Sequence, residues 1–169
     1  MKKRLAARQI AEYGLLIALS MVLSYVEFLI PLSVAVPGVK LGLANIVVVF
    51  ALFRLGKVEA FVISMLRVLL MTFMFGNAFA LFYSLSGAVL SFAVMLLLLK
   101  TGRFSPAGVG IGGGVFHNIG QLLCASVLLG TKQLLYYLPV LLISGTMAGV
   151  AIGLVAGMLL SRVKPDRAG

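Results

Sequence analysis

From Ile10 to Leu160 the chain is a succession of apolar runs, most of them near the length that crosses a bilayer, with most of the charge held between them. A helix needs about 20 apolar residues to traverse the hydrocarbon core. Six spans follow from this spacing: 10–30, 41–53, 58–75, 78–99, 107–129 and 138–160. The second is short, and Pro31, Pro37 and Gly38 mark the stretch before it as a turn-rich loop. No linker divides the chain, so a single transmembrane domain over 1–169 is expected. Composition agrees. With 62% hydrophobic residues and only 14 basic and 4 acidic side chains, the chain cannot build the polar coat of a soluble protein.

The net charge of +10 does not point to nucleic acid, because the basic residues sit between apolar runs instead of clustering among aromatics. Membrane topology explains them better. With the N-terminus inside, Lys2, Lys3, Arg4, Arg8, Arg54, Lys57, Lys100, Arg103, Arg162, Lys164 and Arg167 are inner, eleven in all. Lys40 and Lys132 are outer, and Arg67 lies within a span. Eleven against two is the positive-inside pattern. Both termini are therefore expected in the cytoplasm, and the protein in a cell membrane. Tyr136 and Tyr137 fall at the outer edge of the last span, as belt aromatics do. The basic start resembles a signal peptide, but the run from Ile10 to Ile30 is long enough to span and contains Glu27, so a retained first helix is the better reading. The single cysteine, Cys124, excludes an intramolecular disulfide.

Small residues mark close-packing faces. Gly145, Gly149, Gly153 and Gly157 recur every fourth residue, and Gly110 and Gly114 repeat the spacing in the fifth span. Ala7 with Ala11, and Gly14 with Ala18, do so in the first. Such stripes let helix backbones approach in lipid, either within one bundle or against a second membrane protein.

Intramembrane polar groups cost free energy and need partners. Here they are Glu27, Asn45, Arg67, His117, Asn118 and Gln121, with Lys40 and Asn77 at the outer edge. His117, Asn118 and Gln121 share an arc of about 100° with Gly110 and Gly114, which faces the bundle as a binding wall or as interhelical hydrogen bonds. Arg67 lies about 12–13 Å from either end of its span. It needs an anion, either Glu27 or a ligand, or several carbonyls. Met71 and Met74 follow it on the same side as an adaptable apolar wall. A ligand with an anionic or strongly hydrogen-bonding head and an apolar body fits these groups.

The sequence has no Walker A motif and no Cys/His metal cluster, and its single aspartate is Asp166. ATP hydrolysis, metal binding and magnesium-assisted diphosphate chemistry are therefore not expected of this chain, nor is a cofactor.

The segment Pro37-Gly38-Val39-Lys40-Leu41-Gly42-Leu43-Ala44-Asn45-Ile46 resembles the hallmark of the Gx transporter family, also labelled heptaprenyl diphosphate synthase component I. His117-Asn118-Ile119-Gly120-Gln121 and Tyr136-Tyr137-Leu138-Pro139 are similar to its later motifs, and Arg67 sits where the family places an intramembrane arginine. The resemblance runs from about Ala6 to Leu160. It implies a bundle of the kind found in substrate-binding S-components of energy-coupling-factor (ECF) transporters. Those six-helix proteins bind a nutrient from outside and dock, through an alanine-x-x-x-alanine motif on helix one, to a membrane T-component carrying two ATPases. Here the strict motif is Ala7–Ala11, at the membrane edge, and the deeper pair is Gly14–Ala18. The expected function is substrate capture by Asn45, Arg67, His117, Asn118 and Gln121, with Lys40 and Asn77 at the mouth. The rival is a non-catalytic accessory subunit in isoprenoid or quinone metabolism, or in a membrane redox assembly.

Overall fold

The computed structural model describes residues 2–30 and 41–163, and of residues 2–6 and 8 the backbone alone. Every regular element among them is helical: α1 (Lys2–Leu29), α2 (Asn45–Arg54), α3 (Lys57–Phe75), α4 (Ala78–Lys100), α5 (Pro106–Leu128), a 3₁₀ turn (Gln133–Tyr137) and α6 (Leu138–Arg162). Five are long and apolar enough to cross a membrane: Gln9–Leu29 within α1, then α3, α4, α5, and Gln133–Arg162 comprising the turn and α6. The helix ends follow local chemistry. Asn77 caps α4 by accepting the Ala80 N–H at 2.9 Å, and Ser105 caps α5 with Pro106 in the first turn.

The second apolar segment differs from the expected span 41–53. Its helix starts only at Asn45 and has ten residues, about 15 Å of rise. Gly42, at φ +69°, turns the chain just ahead of it, and this left-handed conformation suits glycine. Leu43 and Ala44 then lead into the first helical turn. Two contacts align this segment with α1. The Gly42 and Leu43 N–H groups donate to the two carboxylate oxygens of Glu27 at 2.8 and 3.1 Å. At the other end Arg54 pairs with Glu12 at 3.0 Å. Glu12 and Glu27 are about 22 Å apart along α1, so residues 42–54 run antiparallel to it over that distance. The irregular head is viable in an apolar setting because the partly buried Glu27 carboxylate satisfies its donors.

Although short, α2 is central. It touches α1, α3, α5 and α6. Val47, Val48, Val49, Ala51 and Leu52 form the middle of the main apolar cluster, with Leu16, Ile63, Phe92, Met95, Val109 and Ile152 around them. The longer helices wrap round it, with neighbours in the order α1, α3, α4, α5, α6.

The glycine stripes of α5 and α6 meet each other. A Cβ at Gly149 would lie 2.5 Å from the Gly110 carbonyl oxygen, and one at Gly110 would lie 2.6 Å from that of Gly149. Gly114 and Gly145 are paired in the same way, and Gly153 sits on the backbone of Pro106 and Ala107. Gly157 is different, since its nearest neighbours are Pro106 side-chain atoms at 3.8 Å and beyond. These stripes serve packing within the bundle. On α1, by contrast, Ala7, Ala11, Gly14 and Ala18 are all exposed, and a Cβ at Gly14 would meet nothing within 4 Å. At 100° per residue these four fall within an arc of about 60°.

Candidate functional site

Because α2 stops short, space is left above its first turn, and the ends of the longer helices enclose it. The result is a cavity of about 320 Å³, at the small end of the ligand-site range. The C-terminal part of α1 contributes Ser24, Glu27 and Phe28. Gly42 and Asn45 form the floor, Arg67, Met71 and Phe75 line one side, and His117 and Gln121 of α5 line another. Phe75 also stacks obliquely on Tyr25 and Phe28, at 5.2 and 6.1 Å between ring centroids, which gives α1 and α3 a shared apolar wall.

Four of the site residues expected from sequence thus meet in one place: Asn45, Arg67, His117 and Gln121. Asn118 does not join them. Its amide donates to the Leu141 carbonyl at 2.8 Å and ties α5 to α6. The helix-five arc is wider than one interface: its Gly110, Gly114 and Asn118 side faces α6, while His117 and Gln121 face α4 and the cavity. Asn77 is the α4 cap, outside the cavity lining. Lys40 lies outside the described residues. Met71 lines the cavity, whereas Met74 is 58% exposed on the bundle surface.

The polar groups of the cavity divide by whether the protein already satisfies them. Glu27 is taken up by the head of α2 and makes no ion pair with Arg67. Arg67 Nη1 donates to Ser24 Oγ at 3.3 Å, but its buried Nε–H finds no acceptor among the described residues. Gln121 is 1% exposed, and neither its amide oxygen nor its amide nitrogen has a partner there. A native interior rarely leaves such groups unpaired, so they call for a water, an ion or a ligand. Among the described residues no three His, Cys, Asp or Glu side chains converge on a common point.

Sequence reasoning missed Ser24 and the role of Glu27. Ser20, Ser24 and Glu27 are spaced i, i+4, i+7 on α1. The stripe argument used for helix five, applied to helix one, would have found Ser24 beside Glu27.

No curated protein and no solved structure gives a significant match to this chain. A family model described as Heptaprenyl diphosphate synthase component I matches residues 16–159, which include every described residue that lines the cavity. With most of its length matched in this way, the chain belongs to the heptaprenyl diphosphate synthase component I family.

Proposed function

We propose that this protein is a membrane substrate-capture subunit of the ECF S-component kind. It takes up a small nutrient or cofactor precursor from outside, through Asn45, Arg67, His117 and Gln121, and performs no catalysis. The observation that carries this reading is a cavity lined by Arg67 and Gln121, whose buried Nε and amide lack partners among the described residues. Apolar surfaces of Phe28, Met71 and Phe75 beside them suit a ligand with an anionic head and an apolar body. The exposed small-residue face of α1, at Ala7, Ala11, Gly14 and Ala18, is the docking face for a T-component with its ATPases. Native mass spectrometry from mild detergent should detect a bound small molecule and a co-purifying T-component. Gly14→Leu should lose the T-component but keep the small molecule. A wild-type protein carrying neither, and associating with a soluble prenyl synthase instead, would support the second reading: an accessory subunit in heptaprenyl diphosphate metabolism, which the family's name favours.

In this reading α2 and its head complete a sixth crossing, both termini are cytoplasmic, and the cavity opens outwards. The charge asymmetry supports it, as does the alignment of 42–54 along α1. Single cysteines replacing Arg103 and Lys132 in a Cys124→Ser background test it with an impermeant thiol reagent on intact cells. Position 132 should label and position 103 should not; the opposite pattern would invert the topology.

A further inference from the structure

The unpartnered atoms specify more than a polar ligand. A guanidinium presents five N–H donors in a fixed planar fork. Ser24 takes Nη1 of Arg67 at 3.3 Å, and Nε–H has no acceptor among the described residues, so the side edge that Nε shares with Nη2 has at least one donor to give. That edge matches the two oxygens of a carboxylate held side-on. Gln121 supplies a second, different edge. Its Oε1 accepts and its Nε2 donates, side by side in one plane, and neither is used by the described residues. The complement of a primary amide is another cis-amide edge, with N–H and C=O adjacent, as in a lactam, a cyclic ureide or a pyrimidinone. Phe28, Met71 and Phe75 add apolar surface to the same cavity.

We infer that the cavity takes a monocarboxylate whose compact apolar body carries a cyclic amide edge. The carboxylate lies on Arg67 and the amide edge on Gln121. This rests on the cavity being the capture site proposed above. Charge and size argue against a polyprenyl diphosphate as the occupant. Among the described residues one guanidinium faces the cavity, with the Glu27 carboxylate lining the same space, and about 320 Å³ does not enclose a long isoprenoid chain.

The test uses a series of ω-(thymin-1-yl)alkanoic acids, from the acetate upwards, titrated calorimetrically into the detergent-purified wild type. Each acid is paired with its N3-methyl derivative, which removes the edge donor, and with its methyl ester, which removes the charge. Phenylalkanoic acids of equal length carry the charge without the edge. At least one thymine acid should bind, with N3-methylation and esterification each weakening it tenfold or more. Gln121→Met should weaken the parent acid by a similar factor and leave the N3-methyl compound unaffected. Because the methylated compounds act on unaltered protein, the result does not depend on how the variant folds. Equal binding of the N3-methyl or phenyl acids would overturn the amide edge while leaving the capture reading intact. The inference also fails alone if none of the series binds while native mass spectrometry detects a bound small molecule lacking either group. If none binds and no small molecule is detected, the inference and the capture reading fall together.

Discussion

Leucine in place of Gly149 is expected to prevent the bundle from folding. The new side chain would start 2.5 Å from both the Gly110 carbonyl oxygen and the Ile111 Cα, and neither backbone can retreat without separating α5 from α6. The expected cost exceeds about 3 kcal/mol, the upper end of ordinary overpacking, because the obstruction is main chain and not a flexible side chain. Size-exclusion profile and thermal unfolding in detergent measure it. Gly157→Ala is the control from the same stripe. Its nearest obstacles are at 3.8 Å, so alanine should be neutral or slightly stabilising through its better helix propensity. If Gly149→Leu unfolds at the wild-type temperature, the packing of α5 on α6 described above is wrong.

The second large effect separates Glu27 from Arg67. Glu27 accepts two N–H bonds from the head of α2, whereas the Arg67 Nε–H has no acceptor among the described residues. Glu27→Gln keeps the size of the side chain but replaces one of its two acceptor oxygens with a donor. It should cost about 1.5–3 kcal/mol, the usual worth of a hydrogen bond to a charged group. Arg67→Gln removes a charge with no carboxylate contact, and should leave stability unchanged or raise it while reducing retention of the bound small molecule. The effects of the two substitutions should add in the double variant. Recovery of stability beyond that sum would mean that the two charges support each other, and Arg67 would then belong to the scaffold.

Most of the fold was legible because bilayer thickness imposes a length on each apolar run. The ends of α3, α4, α5 and α6 fall within two residues of the boundaries expected from hydropathy. Length carried no information on the second segment, where a left-handed Gly42 and a three-residue head replace the first helical turn. The site was legible in part. Arg67, His117, Gln121 and Asn45 were recognisable because a strongly polar side chain in an apolar run needs a reason to be there. Asn118 met the same criterion, yet its reason is the Leu141 carbonyl. Residue type alone does not distinguish a ligand contact from a helix–helix bond. Glu27 was harder still. Its partners are backbone N–H groups, which every residue but proline carries, so no side-chain pattern announces them.

The shortness of α2 bears on how the chain enters the membrane. Ten helical residues, about 15 Å, are half the thickness of the hydrocarbon, and a translocon that releases helices singly has no stable state in which to release this one. Its irregular head would meet lipid with bare N–H groups, and Glu27 would meet it as an isolated charge. Together they neutralise each other's cost. On the six-crossing reading, α1 and α2 therefore partition as a single hairpin, held at one end by Glu27 and at the other by Glu12 with Arg54. A chain interrupted after α1 would stall with an unshielded carboxylate, so the unit of biogenesis is the pair and not the helix.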